Sequence, residues 1–195
     1  MTILKGTKTA ENLLKSFAGE CQARTRYTYY SSIAKKEGYV QISNIFMETA
    51  EQEKEHAKKF YKFLKDEFVD EAIEINASYP VSFHKETAKN LKAAADGEKE
   101  EWLHDYPEFA KIAKEEGLLD ISVAFERIAE VELRHERRYL KLLANIENGT
   151  VFKKSESVLW KCNNCGYIGE GLEAPMICPA CEHPQAYFEV FVETY

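Results

Sequence analysis

Apolar side chains recur at helical spacing along most of this chain. Over residues 9–36, Leu13, Leu14, Phe17, Cys21, Tyr27 and Ile33 fall along one helix, with Thr9 as its N-cap and Gly38 as its stop behind Lys35-Lys36. A second helix runs over about 41–67, its stripe built from Ile42, Ile45, Phe46, Thr49, Glu53, His56, Phe60, Phe63 and Leu64. The polar pair Glu53 and His56 thus sits inside an apolar stripe. Periodicity is lost over 68–85, which contains Tyr79-Pro80 and reads as a long connection. A third helix starts near Glu86, passes Glu98 and Glu101, is kinked at Pro107 and continues over 109–116 to Gly117; a fourth spans about 119–146.

The links at Gly38 and Gly117 are short enough to make two antiparallel hairpins. The connection can extend roughly 60 Å, whereas a helix of about 27 residues is roughly 40 Å long, so it can return the chain along the whole bundle. The pattern therefore predicts an all-α four-helix bundle of two hairpins joined by a long crossover. The hairpins are diluted copies of one another. Glu53-x-x-His56 and Glu132-x-x-His135 lie 79 residues apart, and at that offset Ala34 falls on Ala113, Glu37 on Glu116, Gly38 on Gly117 and Phe46 on Phe125. Upstream the offset is 78, pairing Gly19-Glu20 with Gly97-Glu98, as a single insertion between the copies would produce. Beyond Asn148-Gly149 a polar stretch gives way to Gly, Pro, Cys and aromatic residues, which divides the chain into a bundle over 1–147, a linker over 148–157 and a module over 158–195. A module of that size needs a metal staple to fold.

Composition narrows the function. A formal charge of −7 argues against a duplex nucleic-acid binder, which needs a basic face. No apolar run approaches the roughly 20 residues that span a bilayer. Met1 to Gly6 lacks an apolar core of signal-peptide length, so the start reads as a cytoplasmic N-terminus. In that setting the five cysteines favour metal ligation over disulfides.

Positions i and i+3 share a helix face, so each Glu-x-x-His aims a carboxylate and an imidazole at one volume. Glu20, Glu53, Glu98 and Glu132, with His56 and His135, lie in the apolar stripes, where carboxylates are disfavoured unless paired or metal-bound. Four helices carrying such groups can build a two-metal site, and this donor set suits iron or manganese better than zinc or magnesium. Glu101 stands where the first copy has Ala23, so the two metal positions need not be equivalent. Glu101-x-x-His104 has the same spacing, but Arg26 stands opposite His104 in the repeat, and His104 reads as solvated. Glu51 and Glu130 point about 200° away from Glu53 and Glu132 and belong outside. Tyr27, two turns beyond Glu20, and Tyr106, at the matching level, can each donate a phenolic hydrogen bond to a ligand carboxylate; the alternative is core packing. Cys21 reads as a small buried residue.

Cys162-x-x-Cys165 and Cys178-x-x-Cys181 can close a tetrahedral four-sulfur site, which fits structural zinc or iron. Gly166-Tyr167, Pro179 and the aromatic Trp160, Tyr187 and Phe188 around the knuckles favour iron, a one-electron carrier.

Together, Ala18-Gly19-Glu20, Glu53-Lys54-Glu55-His56, Gly97-Glu98-Lys99-Glu100-Glu101, Glu132-Leu133-Arg134-His135 and the two Cys-x-x-Cys segments resemble the rubrerythrin family, over essentially the full chain. The resemblance implies a ferritin-like diiron bundle followed by a small metal-stapled, β-rich rubredoxin-like domain. It implies that Glu53 and Glu132 bridge two irons, with Glu20 and Glu101 on one and Glu98 and His135 on the other. His56 then replaces Glu101 when the site is reduced, Tyr27 and Tyr106 support the ligands, and Cys162, Cys165, Cys178 and Cys181 hold a third iron. The implied activity is a peroxidase reducing hydrogen peroxide to water in oxidative-stress protection. The resemblance implies that electrons come through the sulfur-bound iron from an external NADH-linked reductase, and the chain has no Gly-rich nucleotide motif of its own to do that job. The short linker and the resemblance suggest a head-to-tail homodimer; neither nucleic acid nor membrane is an expected partner. Two other readings compete: a ferroxidase or iron-storage protein, for which a built-in electron carrier is unneeded, and a zinc-stapled interaction protein.

Overall fold

Both hairpins turn on the same device. In the computed structural model, which describes residues 3–195, α1 (Lys8–Lys36) ends where Gly38, at φ +86°, lets the Tyr39 amide donate back to Ala34 O at 2.8 Å. α2 (Val40–Leu64) then runs antiparallel to α1. In the second hairpin Gly117, at φ +78°, lets the Leu118 amide reach Ala113 O at 2.8 Å before α5 (Leu119–Glu147). Both are Schellman closures, in which only a residue that tolerates positive φ fits the turn. The repeat-related acids then cross-cap the hairpins. The Glu116 carboxylate accepts the Lys8 and Thr9 amides at 2.9 and 3.0 Å, and Glu37 accepts the Thr87 amide at 2.5 Å. Each satisfies donors that a helix start leaves unpaired and complements the helix dipole.

The third rod departs from expectation. α3 (Thr87–Glu100) passes into a π-helical turn (Glu101–Asp105) and then α4 (Tyr106–Glu115), so the irregularity lies upstream of Pro107. Pro107 sits at the start of α4, where a missing amide hydrogen costs little. A π turn absorbs one extra residue. Across it the repeat offset changes from 78 at Glu20 and Glu98 to 79 at Tyr27 and Tyr106, so the inserted residue is stored there. Two smaller corrections concern helix ends. Gly6, at φ +79°, turns the chain early, so Thr7 is the N-cap, accepting the Ala10 amide at 3.2 Å, while Thr9 is buried inside α1. α2 stops at Leu64 because Glu67 leaves the helix to accept the Leu4 amide at 2.8 and 2.9 Å.

The crossover between α2 and α3 is pinned along the bundle by side chains. Tyr79 donates to Lys15 O at 2.7 Å, Tyr30 to Ser82 O at 2.8 Å, and the Asn90 amide exchanges two 2.9 Å bonds with the His84 backbone. Two apolar clusters fill the bundle: Leu13, Phe60, Tyr106 and Phe125 in one, Tyr27, Tyr30, Phe46, Leu91 and Tyr139 in the other. The C-terminal module is an antiparallel sheet of β1 (Lys153–Cys162), β2 (Ile168–Glu173) and β3 (Phe188–Val190) in the order β2-β1-β3. β1 thus begins within the 148–157 stretch read as a linker. Trp160 anchors the module's core and donates to Gly171 O at 3.0 Å. The module rests on the α1–α2 end of the bundle. Phe152 stacks on Tyr39 at 6.3 Å, and Ala186 lies where a side chain on Gly38 would go, 3.5 Å away. No described helix is long and apolar enough to cross a membrane.

Candidate metal centres

Within the bundle, the helical faces bring together two overlapping sets of groups. Glu20, Glu53, His56 and Glu132 form one, and Glu53, Glu98, Glu132 and His135 the other, each with ligand atoms within 4.8 Å of one another. Glu53 and Glu132, one from each copy, belong to both. The two imidazoles face each other at 6.0 Å between ring centres, as two copies related by an approximate twofold axis require. Glu101 is the expected residue left out of both sets: it is half-buried, with Oε1 3.9 Å from where a Cβ on Gly19 would sit. His56 completes the set with Glu20, its Nδ1 2.8 Å from Glu132 Oε1, 2.9 Å from Glu53 Oε2 and 3.9 Å from Glu20 Oε1.

Tyrosines brace the carboxylates from either side. Tyr27 donates to Glu98 Oε1 and Tyr106 to Glu20 Oε1, both at 2.5 Å and both buried. Each tyrosine also packs in one of the apolar clusters, so the two sequence alternatives hold at once. His104, Glu51 and Glu130 are exposed, as expected. Cys21 is exposed as well, contrary to expectation: α1 packs through Glu20, Ala23 and Tyr27, and the position after Glu20 turns outward near Arg24.

Two supporting residues escape a reading of the sequence. His135 Nε2 donates to Gln52 Oε1 at 3.0 Å, and Arg138 donates to the same oxygen at 3.4 Å, which marks that atom as the amide's acceptor. The His135 Nδ1 is thereby turned inward, 2.8 Å from Glu132 Oε2 and 3.1 Å from Glu53 Oε1. Gln52 adjoins a ligand-bearing position, but its partner is 83 residues away, and only the fold pairs them.

The donor set fits a pair of cations. Glu20 Oε2, Glu53 Oε1, Glu98 Oε2 and both Glu132 oxygens are buried, and among the described residues no donor other than the His56 and His135 Nδ1 atoms comes close to them. So many orphaned acceptors in one place are costly unless positive charge lies among them. The electrostatics of the cluster point the same way. Burial, reinforced by Glu53, pushes Glu98 up to about 8, and burial with the charge of Glu101 lifts Glu20 well above the carboxylate range. Burial opposes charge on His56 and His135, yet the carboxylates, Glu132 foremost, raise them to about 10 and about 12. Glu132 is buried too, but both imidazoles hold it at about 2.

In the module, two knuckles converge. The sulfurs of Cys162 and Cys181 lie 3.8 Å apart, and those of Cys165 and Cys178 3.6 Å apart. The edge of a tetrahedron around a cation with ~2.3 Å bonds to sulfur is about 3.8 Å. The Gly166 amide donates to Cys162 O and the Glu182 amide to Cys178 O, both at 2.9 Å. Both residues have positive φ, +79° and +60°, so the second knuckle holds a glutamate in a conformation that favours glycine. Cys162 and Cys178 are buried, whereas Cys165 is exposed.

The Rubrerythrin family model matches residues 11–143, and the model for the rubredoxin-like domain of rubrerythrin matches 160–189. The chain belongs to the rubrerythrin family. It is 67% identical to a rubrerythrin of Clostridium perfringens over the whole of both chains, and 49% identical to that of Nitratidesulfovibrio vulgaris over 97% of each. Among solved structures, nigerythrin in its fully reduced, all-ferrous state superposes with a TM-score of 0.64 at 29% identity, covering 97% of this chain and 92% of that one. The bundle cluster is thus a ferritin-like diiron carboxylate site, and the four cysteines form a rubredoxin-like iron site.

Proposed function

We propose that this rubrerythrin-family protein is an oxidoreductase that reduces hydrogen peroxide to water, consuming two electrons and two protons per peroxide. The observation that carries the reading is the overlap of two donor sets on Glu53 and Glu132, which holds two sites side by side within reach of one small molecule. A bound iron pair supplies the two electrons and the Lewis acidity that O–O cleavage needs. In this reading Glu53 and Glu132 would be shared by both irons, Glu20 would hold one and Glu98 with His135 the other. His56 and Glu101 alternate beside Glu20. The Tyr27 and Tyr106 hydroxyls hold the Glu98 and Glu20 carboxylates in orientation, leaving their second oxygens free.

Electrons arrive from an external NADH-linked reductase through the four-cysteine centre, whose Cys165 edge is exposed. The active unit is a cytoplasmic head-to-tail homodimer in which each module serves its neighbour's bundle. Supporting this, the module packs at the Gly38–Tyr39 end of its own bundle, away from the ligands at mid-helix. Mixing dithionite-reduced protein with peroxide or oxygen tests the chemistry. Faster reoxidation by peroxide is expected, and faster reoxidation by oxygen would favour a ferroxidase. Co-expressing Cys162→Ser and Glu132→Gln chains tests the dimer: reductase-coupled turnover should reappear in the mixed species, and its absence would rule out transfer between subunits.

A further inference from the structure

Gly19 and Gly97 sit in the interiors of α1 and α3, each one residue before a ligand carboxylate. Neither has positive φ, so no backbone demand explains them, and interior glycine weakens a helix relative to alanine. Both line the same cavity of about 710 Å³, open on one side to solvent and walled by α1, α3, the start of α4 and the crossover around Tyr79. That volume lies in the range of small-molecule sites. A Cβ on Gly19 would meet Tyr79 Cε1 at 3.6 Å and Glu101 Oε1 at 3.9 Å, so any longer side chain would grow into the space between the crossover and the carboxylate site. Ser16 lines the same cavity; it is 4% exposed, and its Oγ has no hydrogen-bond partner. At the inner end stand Glu101 and Tyr106, the latter bonded to Glu20.

Building on the peroxidase reading, we propose that this cavity is the substrate passage and a binding site for small neutral hydroperoxides, with Gly19 keeping it open and Tyr79 limiting its width. Charge along the wall favours a neutral guest over an anion: Lys15 and Arg26 face Asp96, Glu100, Glu101 and Asp105. Width is set by the crossover, held where Tyr79 donates to Lys15 O at 2.7 Å. The passage distinguishes hydrogen peroxide from bulkier hydroperoxides by size.

Stopped-flow mixing of full-length, chemically reduced protein with hydrogen peroxide, tert-butyl hydroperoxide or nitric oxide tests this. Nitric oxide reports access to the ferrous site without peroxide chemistry. Iron-replete Gly19→Leu should bind nitric oxide and react with hydrogen peroxide at least tenfold more slowly. Tyr79→Ala should raise the tert-butyl hydroperoxide rate, relative to that for hydrogen peroxide, at least fivefold. A wild-type nitric oxide rate in Gly19→Leu, or a wild-type rate ratio in Tyr79→Ala, overturns the passage. If Gly19→Leu does not retain iron, Tyr79→Ala decides alone, read on protein whose helix content and iron content match wild type. Wild-type protein that peroxide fails to oxidise would sink the peroxidase reading instead, while the nitric oxide rates would still judge the passage.

Discussion

The carboxylate site gathers its groups from four helices, between Glu20 and His135, and buries them; the sulfur site takes four cysteines from two turns between Cys162 and Cys181 and leaves Cys165 at the surface. The bundle has an apolar cluster on either side of its polar layer. It can fold around the ligands and hold them ready. In the module two of the five fully buried core residues, Cys162 and Cys178, are themselves ligands, so metal is part of the core. One site is thus placed by a fold, and the other helps to make one.

The strongest way to break this contrast is to remove one ligand from each side. Cys162→Ser should unfold the module, seen as collapse of amide chemical-shift dispersion over residues 153–190. It should also cut reductase-coupled turnover at least about 100-fold, while peroxide still oxidises the chemically reduced bundle. A module that stays folded without its metal would refute the contrast. Glu132→Gln removes a group common to both donor sets, so iron analysis should show bundle iron falling from two per chain to below one. Circular dichroism should meanwhile show the helices intact.

Gln52→Leu tests the ready-made orientation more gently. It takes away the acceptor that sets the His135 ring, and bundle metal affinity should fall roughly 10–100-fold in competition with a chelator. A smaller effect follows from pH. Between pH 5 and 8 the folded apoprotein holds protons on Glu98, His56 and His135 that the unfolded chain releases, and the upward shift of Glu20 acts in the same direction, so its melting temperature should drop as pH rises. The depressed Glu132 acts oppositely, but only below about pH 4.5, outside that window. Metal-loaded protein should lose less, since cations displace those protons; equal slopes in calorimetry would contradict the assignment. Smallest is Glu182→Gly, which relieves a left-handed residue and should stabilise the metal-loaded module by about 1 kcal/mol in thermal unfolding.

Much of this molecule is legible without coordinates, because its information is local and written twice. The spacing of Glu53 and His56, repeated at Glu132 and His135, places both pairs on inward faces, and the glycines at 38 and 117 mark turns that only positive φ can close. The four cysteines state their own geometry through spacing. Where local reading failed, a distant group intervened. Glu67 was drawn out of α2 by the Leu4 amide, and Cys21 was turned outward because α1 packs through the neighbouring face.

The amino-acid order alone determined the bundle, the module, the ligand types and all but the finest helix boundaries, since periodicity and spacing act over a few residues. Tertiary structure alone decided that His56 rather than Glu101 joins Glu20, Glu53 and Glu132 in one donor set, that Gln52 orients His135, and that two interior glycines and an unpartnered serine share one cavity. Those outcomes depend on side chains many residues apart meeting at ångström distances, and no local pattern encodes such a meeting.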